Sequence, residues 1–404
     1  MSIKIISVVF GEGRVGPRYN QGQGILTMSR RIEYLDIAKG IGILLVVLGH
    51  NDFEVISVFI QRLIYSFHMP LFFFLSGYFL HTAIPFFDFF KKRFNSLLKP
   101  YLFTIFLIYF TSVSFEKMGF NTAIQRTVKS LYGSGYYLDW VQLWFLPQLF
   151  VVSLYAFVFI TLFGKLRNRW VTWGILLATF ALALPFLHAF YPFPLTVLGK
   201  DYELYGLPFS LDLVFVTGFF FILGYEVRQV TSEKTFDNGL ILPVTGGIVL
   251  LLNMLFPYEI DFNIRLYESF LVNTTEAIFG ILFVLALARQ IERRTARLAA
   301  VLKYLGNISL IILLFHVPIQ AFWAQKVENV TGNFPLGIVV GFVMGVIGPI
   351  LIYEIFIRFN PVASFWFGRK AESPARREQE FPEVKEERTV APPPNAPVVE
   401  IQKQ

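Results

Sequence analysis

Ten stretches of mostly apolar residues divide this chain, at 35–54, 56–80, 100–115, 143–163, 170–190, 209–227, 240–257, 270–289, 307–324 and 335–357. Most approach the length of about 20 residues that an α-helix needs to cross a bilayer core. A chain built this way cannot fold as a water-soluble globule, because little polar surface remains to cover the runs. Only 16% of its 404 residues are charged and 55% are hydrophobic, whereas soluble domains carry roughly 25% charged residues. The runs are also continuous, as at 41–48, and do not alternate as the short segments of a β-barrel would. The expected fold is therefore all-α: a polytopic integral membrane protein with about ten transmembrane helices.

Charge sets the expected orientation, because cytoplasmic loops are enriched in Lys and Arg. With the N-terminus inside, twenty basic residues before residue 360 fall on the inner side. Seven fall outside: Arg62, Lys117, Arg126, Lys129, Lys200, Arg265 and Lys326. Both termini are expected to be cytoplasmic. The formal net charge of +7 is then a positive-inside bias, and no nucleic-acid partner is needed to explain it. The absence of cysteine removes disulfides, thiolate metal sites and a cysteine nucleophile. Residues 1–30 are glycine-rich and expected to be flexible, with Met28 an alternative initiator. Residues 31–361 form the expected membrane domain. Residues 362–404, with balanced charges and the run PPPNAP, cannot bury a core and are expected to be a disordered cytoplasmic tail.

Ionisable groups inside spans are costly and so mark candidate sites. The first span, RIEYLDIAKGIGILLVVLGHN, holds Asp36, Lys39 and His50. Eleven residues separate Lys39 from His50, about 1100° of helical rotation, so both face nearly the same way about 16 Å apart along the axis. Asp36, three residues before Lys39, can pair with it. The second span carries Arg62, His68 and Ser76, with Pro70 expected to kink it. In the ninth, Ser309 and His316 share a face but lie about 10 Å apart in rise, too far for a Ser–His nucleophile pair. Each could equally be a packed side chain. Glu276 and Glu354 are weaker candidates, and His81 and His188 read as interfacial. Lys91, Lys92, Arg93 and Lys99 could hold phosphates or serve only as inner-side anchors. The chain shows neither a glycine-rich phosphate loop nor a metal-ligand spacing, so no metal is expected.

Taken jointly, the motifs resemble the acyltransferase 3 family of membrane-bound acyltransferases. The resemblance rests on a basic residue, ten residues and a histidine in LDIAKGIGILLVVLGH, then FHMPLFFFLSGYF at 67–79, LWFLPQLF at 143–150 and GNISLIILLFH at 306–316. It spans about Arg31 to Pro361 and is closest to the branch that resembles fucose 4-O-acetylases. It implies ten transmembrane helices and transfer of an acyl group, usually acetyl from acetyl-CoA, to a hydroxyl of a cell-surface glycan at the bacterial cytoplasmic (inner) membrane. It also implies a catalytic role for His50 with Lys39 as its basic partner, Asp36 beside them, and a donor site at Lys92, Arg93 and Lys99. That basic motif is broken here by Asn95 and Ser96. Arg62, His68, Ser76, Trp144, Ser309 and His316 are expected to line the substrate path. The implied partners are a glycan or lipid-linked saccharide acceptor and the lipid bilayer. The rival class is a transporter or flippase in which Asp36, Lys39, His50, His68 and Glu276 line a pathway.

Overall fold

A backbone in hydrocarbon must satisfy its own N–H and C=O groups, and a helix does this within one segment. The computed structural model describes residues 32–51, 57–116, 118–164, 166, 168–197 and 199–372. The flexible segment expected at 1–30 lies outside these, as does the tail from residue 373. The helices are α1 (Glu33–Gly49), α2 (Val58–Tyr65), α3 (His68–Tyr78), α4 (Phe86–Arg93), α5 (Lys99–Ser114), α6 (Phe120–Leu131), α7 (Phe145–Phe163) and α8 (Arg169–Ala183). They continue with α9 (Val214–Val230), α10 (Ile241–Leu255), α11 (Phe270–Arg294), α12 (Ala296–Asn307), α13 (Ser309–Thr331), α14 (Phe334–Ile352) and the short α15 (Pro361–Trp366). Small antiparallel hairpins, β1 (Phe193–Val197) with β2 (Lys200–Leu204) and β3 (Ile260–Asp261) with β4 (Leu266–Tyr267), occupy two of the connections.

The protein is an all-α polytopic membrane protein. Among the described residues, eight helical segments are long and apolar enough to cross a membrane: Val58–Tyr78, Phe86–Ser114, Val141–Phe163, Arg169–Phe186, Pro208–Val230, Phe270–Arg294, Ser309–Thr331 and Phe334–Ile357. The two other expected spans are the shorter helices α1, 17 residues, and α10, 15 residues. Polar residues occupy the first two turns of α1, and α10 is cut off before Pro257. The third segment begins at Phe86, well before the apolar window at 100, so Lys91, Lys92 and Arg93 sit on a helix rather than in a loop. A π-helical turn, Phe94–Leu98, joins α4 to α5.

The expected kink at Pro70 is a full break. Proline has no N–H and its ring clashes with the carbonyl four residues back, here Ser66. The chain accordingly leaves the helix at Ser66 and Phe67, and Pro70 sits in the first turn of α3. Close approach between helices depends on glycine. A Cβ on Gly40 of α1 would lie 2.0 Å from the Leu302 carbonyl oxygen of α12, and one on Gly306 would lie 2.0 Å from that of Asp36. Gly77 of α3 and Gly224 of α9 meet the facing backbones of Phe221 and Phe74 in the same reciprocal way. Two backbone-to-backbone seams thus fix α1 and α3, the helices that carry His50 and His68. Packing continues past residue 361: Trp366 stacks on Phe103, and Arg369 donates to the Asn307 carbonyl at 2.9 Å.

Candidate active site

His50 caps the C-terminus of α1, where helix carbonyls lose their intrahelical donors. Other helices supply donors. The Gly49 carbonyl accepts from Gln61 Nε2 at 2.8 Å and from the Tyr65 hydroxyl at 3.3 Å, and the His50 carbonyl accepts from Gln320 Nε2. Asn51 Nδ2 donates to the Ile338 carbonyl. The end of α1 is therefore fixed by α2, α13 and α14 together.

Three histidines from three helices share one hydrogen-bonding arrangement. Nδ1 of His50 lies 2.9 Å from the Val46 carbonyl, that of His68 2.9 Å from Ile64, and that of His316 2.9 Å from Ile312. A carbonyl only accepts, so Nδ1 carries the proton and Nε2 keeps its lone pair. The His50 and His316 rings meet edge to face with centroids 5.3 Å apart. His68 packs against Tyr65 and lies within electrostatic reach of His50. Nε2 of His316 is buried with no hydrogen-bond partner. His68 and His316 each lie two residues before a proline. Pro318 deprives the Leu314 carbonyl of its helical donor, and Gln142 Nε2 fills the place at 3.0 Å.

A cavity of about 350 Å³ reaches Val46, Met69 and Leu313, each within one helical turn of a histidine, although none of the three rings lines it. Asp36, Lys39, Ser76, Asn307 and Ser309 give it polar positions, while Ile43, Val46, Met69, Phe72, Leu146, Leu149 and Leu313 are among its apolar walls. Lys39 pairs with Asp36 at 3.3 Å and sits 4.2 Å from the centre of the Phe79 ring.

The loops before α9 and α11 are locked to each other by a buried ion pair. Arg265 donates from Nε to Asp212 at 2.8 Å, from Nη2 to the other oxygen at 3.1 Å, and from Nη1 to the Asn263 carbonyl at 2.7 Å. Both side chains are 0% exposed. Arg265 adopts φ +62°, a left-handed conformation that costs energy in a residue with a Cβ and is held here by these bonds. Gly206, with φ +83°, lies where a Cβ would strike the guanidinium at 1.9 Å. Next to this lock, Asp261 lies within electrostatic reach of His50. Burial pushes its carboxyl above the usual range, with the Asn263 amide and His50 acting the other way.

The structure thus brings Asp36, Lys39, Ser76 and Ser309 to one cavity, and His50, His68 and His316 together beside it. It does not bring the remaining expected residues there. Lys92 is exposed, Arg93 lies over the Phe89 ring and Lys99 over the Phe365 ring, and of that stretch only Leu97 lines the cavity. Arg62 faces elsewhere on α2, its Nε buried and unbonded. Trp144 is buried against Phe145, which does line the cavity. Asp261, Gln142 and Gln320 were not singled out by sequence. Gln142 and Gln320 reach α13 and the end of α1 through side-chain hydrogen bonds and Asp261 acts on His50 through charge, and only the proline at 318 hinted that a donor such as Gln142 was needed. No group of three or more metal-ligating side chains is arranged to hold an ion among the described residues.

A sequence model of the acyltransferase 3 family, described as an acyltransferase domain, matches residues 32–354. No curated protein and no solved structure matches the chain. The matched region begins one residue before α1 and runs into α14's π-helical extension, so it contains Lys39, all three clustered histidines and every wall of the cavity. With that coverage, the chain belongs to the acyltransferase 3 family.

Proposed function

We propose that this acyltransferase moves an acetyl group from acetyl-CoA to a hydroxyl of a surface or exported glycan, with His50 as the general base. One observation carries the reading: histidines tethered through Nδ1, with Nε2 left as a lone pair, stand beside an apolar cavity that has a lysine at its other end. His50 Nε2 takes the proton of the acceptor hydroxyl as its oxygen attacks the thioester carbon. The C–S bond then breaks, and the proton passes to the departing thiolate of CoA. General-base assistance of this kind is worth roughly 10²- to 10⁴-fold in rate. His316 and His68 hold the base in a neutral, ordered surrounding, and Asp261 stabilises the imidazolium as it forms.

Lys39 lies near the inner end by the charge count, on the side from which cytoplasmic acetyl-CoA would come. It is placed to meet the polar part of the donor arm, while Arg93, Lys92 and Lys99 flank Leu97 farther along and offer charge to the donor phosphates. The acceptor approaches from the opposite side, past the Arg265–Asp212 lock, in a bacterial inner membrane. The test is transfer of radiolabelled acetyl from acetyl-CoA in membranes holding the wild-type protein or His50→Ala. Label in base-labile saccharide esters with the wild type, reduced at least about 100-fold in the variant, supports the reading. Equal labelling in both refutes the role of His50, and the absence of covalent label in either refutes acetyl transfer and favours a transport pathway.

A further inference from the structure

The walls of the cavity change character in the same order along three helices. On α1 they are Asp36, Lys39, Ile43 and Val46, and one turn beyond Val46 comes His50. On α13 they are Ser309, Leu310 and Leu313, with His316 three residues on. On α3 they are Ser76, Leu75, Phe72 and Met69, followed by His68. Each helix independently passes from a polar end to an apolar one, and then to a histidine. The last wall positions before the histidines are Val46, Met69 and Leu313.

We infer that Val46, Met69 and Leu313 seat the acyl group and set the length of the chain that is transferred, favouring acetyl. The inference rests on the reading that the cavity holds the acyl donor. A hydroxyl activated at His50 must come within about 3–3.5 Å of the thioester carbon, which places that carbon at the histidine end. The alkyl remainder then lies against these three side chains. Val46 is β-branched and has essentially one rotamer in a helix, so its wall does not yield. Leu313 is branched one carbon farther out. Met69 is unbranched and adaptable, so it shapes the seat less sharply. A longer acyl chain must displace the first two, and removing their methyl groups leaves an apolar space that takes additional methylenes.

The test competes equal amounts of acetyl-CoA, butanoyl-CoA and hexanoyl-CoA in one reaction, with membranes carrying the wild-type protein, Val46→Ala, Leu313→Ala or Leu313→Phe. Acyl groups released from saccharide by mild base are counted by chain length, a ratio independent of how much of each variant folds. Val46→Ala and Leu313→Ala are expected to raise the hexanoyl-to-acetyl ratio at least about 10-fold, the discrimination that a methylene or more provides in an apolar pocket. Leu313→Phe is expected to lower the butanoyl-to-acetyl ratio. Acetyl transfer with unchanged ratios in all three variants overturns the inference and leaves the proposed function standing. If the wild type transfers no acyl group from any of the three thioesters, the proposed function fails and the inference with it.

Discussion

His50, His68 and His316 owe their common tautomer to a local habit: each ring turns back to the carbonyl four residues earlier, or nearly so, on its own helix. That habit engages Nδ1 and leaves Nε2 as the acceptor nitrogen of each ring. The eleven-residue spacing of Lys39 and His50 already placed both on one side of α1, because helical rotation is a property of the sequence. That His316 meets His50 edge to face was not legible, since the contact joins residues 266 positions apart and depends on how α13 crosses the end of α1. Asp261 was silent for the same reason. The residue with the largest expected structural effect is Arg265. Its removal leaves Asp212 buried without a counter-charge, which costs about 3–5 kcal/mol. Arg265→Met should therefore lower the unfolding temperature of the detergent-solubilised protein sharply. The double variant Arg265→Met with Asp212→Leu should recover most of the loss, because replacing both members of a buried pair by apolar groups is often neutral. Equal losses in the single and double variants would mean that the loop fold, rather than the charge balance, is what the pair protects.

Two prolines explain much of the element-scale shape. Pro70 breaks the second span, which places His68 in the first turn of a new helix, and Pro318 leaves a bare carbonyl that Gln142 fills. Proline was readable in the sequence as a site of disruption. How each was accommodated was not, because a helix freed of one hydrogen bond can break or borrow a donor, and the choice lies with its neighbours. Gln142→Leu should destabilise the protein by about 1–3 kcal/mol, the cost of an unsatisfied buried carbonyl. In a Pro318→Ala background the same change should cost much less, because residue 318 then supplies its own N–H to Leu314. Chemical denaturation of the four proteins completes the cycle, and additivity would contradict the assignment. The glycine seams at Gly40 with Gly306 and at Gly77 with Gly224 were legible only as glycines inside helices. Their pairing required the facing backbones.

For the whole molecule, apolar runs predicted the class and the places of the helical segments, and eight of the ten expected spans are long and apolar enough to cross a membrane among the described residues. Lengths were less readable: charges at 91–93 interrupted hydropathy without interrupting the helix, and the polar start of α1 shortened its apolar part without excluding it from the bundle. The basic residues predict the orientation, and the cysteine-free sequence makes it directly measurable. In intact cells, a membrane-impermeant maleimide should label Lys200→Cys and should label Lys234→Cys only after permeabilisation; the reverse pattern would invert the protein and with it the donor side. The acyl group of the donor is proposed to sit at the end of the cavity next to His50. A structure of the protein bound to an uncleavable ether analogue of acetyl-CoA measures this directly. The acyl end is expected against Val46, Met69 and Leu313 within reach of His50 Nε2, with the donor arm leading past Lys39; an acyl end placed away from all three histidines would overturn the proposed donor site.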